Sequence, residues 1–299
     1  MKRFGLVLLC LCLLPCLAFG EVFVGVTPPE GFGQDTPHGL LQMTALNMGV
    51  FDCFLIEAGG QTMLVDGGTQ PAGHFSADLL NLWGLTGVDY WFNTHPHDDH
   101  ILGTAQQIRK SAYEVGTFLC AFDKSWSNKH LLDTLALLEK KNIPVEKIAH
   151  GDTMDFGACR LTFLQSTQTK NFNNSSVALR LDFGTASMLL TADIHSQTQQ
   201  YFVDTLPKEL LKADILKLCH HGYTSTEQYF IDAVEPELCF VSNPPQSIKA
   251  IMQHMKAVGM PVLHSARGNL VFVTDGTDWY VNQYPVMPGR TAVGVLEQE

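Results

Sequence analysis

Basic residues are scarce and thinly spread in this chain. Nineteen lysines and arginines face 30 aspartates and glutamates, for a formal net charge of −11. A surface for nucleic acid needs a basic face, and no cluster of Lys or Arg occurs, so nucleic acid is not an expected partner. No C-x-x-C pair is present, and most cysteines lie within apolar runs, as buried thiols do. After residue 20 there is no apolar run of about 18 residues or more, so no membrane span is expected once a leader is removed. Internal repeats and low-complexity linkers are also missing, which excludes solenoid and fibrous architectures.

What the chain does have begins with such a leader. Met1-Lys2-Arg3 is a positive start, Leu6 to Leu17 a short apolar core, and Ala18-Phe19-Gly20 a small-x-small cleavage site. Residues 1–20 therefore read as a secretory signal peptide, and the mature protein is expected to be secreted or otherwise extracytoplasmic. Pro15 before Cys16 spoils the small-residue position that a lipid-attachment site would want. Removing Lys2 and Arg3 with no acids moves the formal charge from −11 to −13. Of eight cysteines, Cys10, Cys12 and Cys16 leave with the leader. The remaining five, Cys53, Cys120, Cys159, Cys219 and Cys239, allow at most two bridges, and a chain of this length needs no disulfide framework. A composition 45% hydrophobic and 16% charged is that of a globular protein. An uninterrupted αβ pattern favours a single domain over 21–299.

The densest chemistry lies in THPHDDH, Thr94 to His100, after the strand-like run Val88 to Phe92 and before a helix-like run from Ile101. Neutral imidazole and carboxylate are ligands of choice for zinc and related divalent ions. His95 and His97 are two apart, so an extended backbone points both to one side, while Asp99 and His100 come as the chain turns. Three further strand ends carry similar groups. Met43 to Leu55 and Gln61 to Val65 read as a hairpin around Gly59-Gly60, ending in LVDGG. Asp66 is there a candidate carboxylate for orienting a metal-binding histidine. ASMLLTADIH closes on Asp193, and the buried strand Asp214 to Leu218 ends in CHHG, with His220 and His221. Helices are expected at Phe75–Gly84, Asn128–Asn142, Gln197–Leu211 and Ser247–Val258. Four strand-end groups in one αβ pattern imply one cleft lined by parallel strand ends.

At these residues the chain resembles the metallo-β-lactamase superfamily of hydrolases, through LVDGG, H-x-H-x-D-H, LLTAD and a late histidine. NNSSVALRLDFG…MLLTAD followed by DILKLCHHG narrows the resemblance to the soluble hydrolase domain of ComEC-type competence proteins, over about residues 43–276. The membrane spans of those transporters are absent from this sequence. The resemblance implies an α/β fold, an αββα four-layer sandwich, with two divalent metal ions, Zn or Mn, at one edge. His95 and His97 would hold the first metal, Asp99, His100 and His221 the second, and Asp193 would bridge them. His221 is favoured over its neighbour, leaving His220 to stand behind the ligands or to donate to substrate oxygens. Many members supply a mid-chain histidine to the first metal; this chain has Asn173-Asn174-Ser175-Ser176 there, so an amide, hydroxyl or water would complete it. Two such ions about 3.5–4 Å apart lower the pKa of a shared water towards neutrality, and Asp99 can orient or deprotonate that water. The expected substrate is a small-molecule or cell-surface phosphoester or phosphodiester. A β-lactam or lactone, a secreted nuclease activity and non-catalytic metal binding are the alternatives.

Overall fold

A computed structural model describes residues 20–34, 36, 38–68, 84–110, 113–167 and 170–284. The expected signal peptide up to residue 19, the expected helix from Phe75 apart from Gly84, and the tail from Pro285 lie outside the described residues. Nine strands form one mixed sheet: β1 (Val22–Val24), β2 (Leu41–Ala45), β3 (Phe54–Ala58), β4 (Gln61–Val65), β5 (Gly87–Asn93), β6 (Glu114–Cys120), β7 (Val145–Lys147), β15 (Asn269–Thr274) and β16 (Trp279–Tyr284). Their order is β1-β16-β15-β2-β3-β4-β5-β6-β7. Seven form the other: β8 (Thr153–Phe156), β9 (Cys159–Leu164), β10 (Ala178–Phe183), β11 (Ala186–Leu190), β12 (Ile215–Lys217), β13 (Leu238–Val241) and β14 (Val262–His264). That sheet runs β14-β13-β12-β11-β10-β9-β8.

Alternation along the strands builds the layers. In β13, Leu238 and Phe240 enter the core between the sheets, while Cys239 and Val241 face the helices outside. Aromatic rings close the inter-sheet space, with Phe92 against Phe163 at 5.2 Å and Phe54 against Phe240 at 5.8 Å between centroids. Over the second sheet lie the helices Ser196–Thr205, Gln228–Val234 and Lys249–Ala257, contributing Phe202, Phe230, Val234 and Met255. The helices Asp98–Lys110 and Lys129–Lys140 add Ile101, Ile108, Leu131 and Leu138 to the larger core on the first sheet's side. The result is the expected αββα arrangement.

Two expected elements divide. Met43 to Leu55 is two antiparallel strands, β2 and β3, joined by Leu46 to Cys53. That connection is apolar because it is buried, with Met48 and Cys53 inside, and Gly49 at φ 77° breaks the strand. Gln197 to Leu211 is two helices, Ser196–Thr205 and Lys208–Leu211. Pro207 forces Leu206 into an extended conformation (φ −84°, ψ 145°) and ends the first. Cys53, Cys120, Cys159, Cys219 and Cys239 are all buried, and none of them forms a disulfide.

The topology places the chemistry. β4 and β5 run parallel in the first sheet, and β11 and β12 run parallel in the second. Asp66, His95 to His100, Asp193 and His220-His221 follow the C-terminal ends of these four strands.

Candidate metal centre

Asp66 sits in the left-handed region at φ 58°, which turns its carboxylate back under the histidine cluster. Its Oδ1 accepts from the backbone N–H of Thr94 (2.8 Å) and from Asn93 Nδ2 (2.9 Å). Its Oδ2 accepts from Thr94 Oγ1 (2.7 Å) and lies 2.7 Å from His100 Nδ1. The glycine that follows is required by close approach. Gly67 N donates to His100 O at 2.8 Å, Gly103 N donates to Gly68 O at 2.9 Å, and a Cβ on Gly103 would stand 1.8 Å from Gly67 O. The LVDGG turn thus clamps the first turn of the helix that carries Asp99 and His100.

Asp193 lies at the centre. On one side His95 Nε2 stands 3.7 Å from its Oδ2 and 3.0 Å from His97 Nδ1. On the other, His100 Nε2 is 3.2 Å from Asp193 Oδ2, His221 Nε2 is 3.5 Å from Oδ1, and the two Nε2 atoms are 3.2 Å apart. Asp99 faces the same pair, with Oδ2 3.5 Å from His221 Nε2 and Oδ1 3.9 Å from His100 Nε2. His95, His97 and Asp193 form one group of converging ligand atoms; His100, Asp193 and His221, with Asp52 nearby, form another. Two divalent ions sharing Asp193 suit this arrangement. Ligands about 2.0–2.2 Å from a tetrahedral ion lie roughly 3.3–3.6 Å from one another, close to the spacings found here. Asp193 Oδ1 is buried and takes part in no hydrogen bond, a cost that a cation would remove.

Electrostatics point the same way. Burial alone would raise the Asp193 carboxyl, but the His221 and His100 imidazoles hold it well below the usual range. Burial alone would lower His100 and His221, and Asp193 with a second carboxylate behind each ring carries both well above 6.5. His95, buried beside His100, is pushed well below 6.5. Such a site is a buried anion in a ring of nitrogen donors.

His220 and His221 both occupy left-handed backbone, at φ 46° and 52°, yet their surroundings differ. The His221 side chain is 1% exposed and points Nε2 at Asp193; that of His220 is 22% exposed, with Nε2 3.6 Å from Asp193 Oδ2. His220 Nδ1 lies 3.0 Å from His195 Nε2, and burial pushes its imidazole down to about 4. Asn173 and Asn174 meet His195 rather than the predicted ligands. Asn173 Nδ2 lies 3.1 Å from His195 Nε2, and Asn174 Oδ1 accepts from the His195 N–H at 3.3 Å. Sequence reasoning missed His195, which carried no motif. It also missed Asp52, Lys217 and Ser242, which stand behind His221. One signal was present: an acid within GVFDCFL and a lysine within ILKLC are opposite charges in apolar runs.

Two mixed sheets packed face to face, with donors converging from parallel strand ends of both, define a metallo-hydrolase fold with a di-metal-type site. Residues 50–233, more than half of the chain, match the metallo-beta-lactamase superfamily, and the chain belongs to that superfamily. Over 148 residues it is 26% identical to ComE operon protein 3 of Bacillus subtilis (strain 168), a match covering 48% of this chain and 18% of that protein. The match supports the resemblance to ComEC-type proteins. Among solved structures, Igni18, a metallo hydrolase from Ignicoccus hospitalis, aligns with a TM-score of 0.51 and 14% identity, covering 78% of this chain and 98% of that one. CmlA, a diiron beta-hydroxylase from Streptomyces venezuelae, aligns at 0.50 and 17% identity, covering 75% of this chain and about half, 52%, of that one. At these identities the likeness is one of fold.

Proposed function

We propose that this chain is an exported binuclear metal-dependent hydrolase acting on phosphoesters or phosphodiesters, small-molecule or cell-surface. The observation that carries the reading is the position of Asp193 between His95 and His97 on one side and His100 and His221 on the other. His95 and His97 would hold the first ion, Asp99, His100 and His221 the second, and Asp193 both. Zinc or manganese suits imidazole and carboxylate donors. Two divalent ions held there would supply Lewis acidity towards a phosphoryl oxygen and a water of lowered pKa. Asp99 is partly exposed at the mouth, and the His221 contact and the imidazole charges outweigh burial to keep its carboxyl ionised. It orients the attacking water and accepts its proton. His220, neutral at pH 7 and partly open to solvent, donates an N–H to a substrate oxygen. Removal of residues 1–20 would leave a mature chain beginning at Glu21, which N-terminal sequencing of secreted protein checks. No helix among the described residues is long and apolar enough to cross a membrane.

The test is a phosphodiester panel. The wild type should hydrolyse bis(p-nitrophenyl) phosphate and leave a chromogenic cephalosporin intact. Asp99→Ala should lose that activity while keeping its circular dichroism spectrum. Unchanged turnover in Asp99→Ala would end this mechanism, and cleavage of the cephalosporin alone would move the substrate to the amide class.

A further inference from the structure

Behind each of the two imidazoles facing Asp193 stands a buried carboxylate. His100 Nδ1 lies 2.7 Å from Asp66 Oδ2, and His221 Nδ1 lies 3.2 Å from Asp52 Oδ1. Asp66 belongs to the LVDGG motif; Asp52 lies upstream of it, within GVFDCFL. It lies in the connection between β2 and β3 of the first sheet, whereas His221 follows β12 of the second, so the contact crosses the sandwich. Asp52, Lys217, Ser242 and His221 are all buried to 1% exposure or less. The Ser242 hydroxyl donates to Asp52 Oδ1 and lies 3.0 Å from His221 Nδ1, and the Lys217 ammonium pairs with Asp52 Oδ2. Lys217 also donates to Ala192 O at 3.1 Å and stands 3.9 Å from Asp193 Oδ1.

Asp52 comes within ligand reach of His100, Asp193 and His221, but its contacts exclude coordination. An ammonium, a hydroxyl and an imidazole already occupy its oxygens, and an ammonium at contact distance repels a second cation. It also lies on the Nδ1 side of His221, whereas Nε2 faces Asp193. Buried charges persist only when paired and hydrogen-bonded, so Asp52 and Lys217 act as a unit.

We propose that Asp52, held by Lys217 and Ser242, is a positioning residue that keeps the proton of His221 on Nδ1 and aims the Nε2 lone pair at the cation site beside Asp193. The proposal rests on reading His221 as a metal ligand. A carboxylate behind a ligating imidazole fixes its tautomer and orientation and raises its basicity, and losing it weakens metal binding by about 10–100-fold. Lys217, paired with Asp52 and 3.9 Å from Asp193 Oδ1, supplies a permanent positive charge between two carboxylates that lie buried close together.

Zinc affinity of the full chain, titrated in competition with a chromophoric chelator, tests this without reference to turnover. Asp52→Asn and the double variant Asp52→Asn/Lys217→Met should both bind about 10–100-fold more weakly than the wild type. The double variant removes the ammonium together with the carboxylate it pairs with most closely, so it separates positioning from the burial of a lone Lys217 charge. A folded double variant with wild-type affinity overturns the proposal and leaves the metal centre standing, whereas a wild type that takes up no zinc overturns both. Should neither variant fold, long-range 1H–15N spectra of the zinc-loaded wild type decide. A proton on His221 Nδ1 supports the proposal, and a bare or zinc-bound Nδ1 refutes it.

Discussion

His220 and His221 are adjacent, share a left-handed backbone and differ in almost everything else. The fully buried His221 presents Nε2 to His100, Asp99 and Asp193, while His220 opens to solvent and pairs with His195. His221→Ala should therefore lose metal by mass spectrometry, whereas His220→Ala should keep its metal and lose turnover by about 10²-fold or more. Equal loss of metal in both would reverse the assignment. The same ring of groups sets a pH dependence. In metal-free protein His100 and His221 hold their protons well above 6.5, because Asp193 and the carboxylate behind each ring outweigh burial. A group whose folded pKa is raised stabilises the fold fully below its unfolded value, and that stability is lost as pH rises through the folded value. Chelated protein should thus melt at progressively lower temperature as pH rises from about 6.5 into the alkaline range. His95, shifted the other way, alters stability only below 6.5. The donor types were readable in the sequence at this scale. The choice between neighbouring histidines was not, because one residue of backbone rotation decides which ring is buried.

Three of the four strand ends that carry the site bend sharply. Asp66, Ala192, His220 and His221 all have positive φ, near 50–60° or just below. Left-handed conformations at non-glycine residues cost about 1 kcal/mol or more each and persist where the surroundings enforce them. Those surroundings include the contact between the LVDGG turn and the helix Asp98–Lys110. Gly103→Ala would drive a methyl into Gly67 O, so it should destabilise the fold by roughly 2 kcal/mol or more in urea unfolding and weaken metal binding through His100. An unchanged midpoint would show that the clamp yields. Strand ends were readable as ligand stations because apolar runs stopped at ligand-type residues. The Leu46 to Cys53 connection was not: burial makes a loop as apolar as a strand, and Asp52 sits in that loop between β2 and β3.

Across the whole molecule the site joins two layers. His95, His97, Asp99 and His100 issue from the first sheet's side, Asp193 and His221 from the second. A cation bound between them ties the halves together, so chelation should lower Tm. Free metal at 100 times its Kd would contribute about 2.7 kcal/mol of stability, and restoring zinc should recover it. A Tm indifferent to chelator would mean that the metal adds nothing to the folded state. Asp193 Oδ1, buried and without a hydrogen bond, is where a bound cation would relieve an unsatisfied charge.

The sequence by itself determined the layered α/β class, through alternating apolar periods, and the kinds of donor available, because ligand chemistry belongs to residue types. It also determined where along the chain those donors fall, since strands end where apolar runs end. Only the tertiary structure decided which donors meet. Asp52 lies 169 residues from His221 and comes to it through the packing of one sheet on the other, and His195 reaches His220 through a turn with no signature. Local pattern records the period of an element, and contact between distant elements depends on the packing of whole faces.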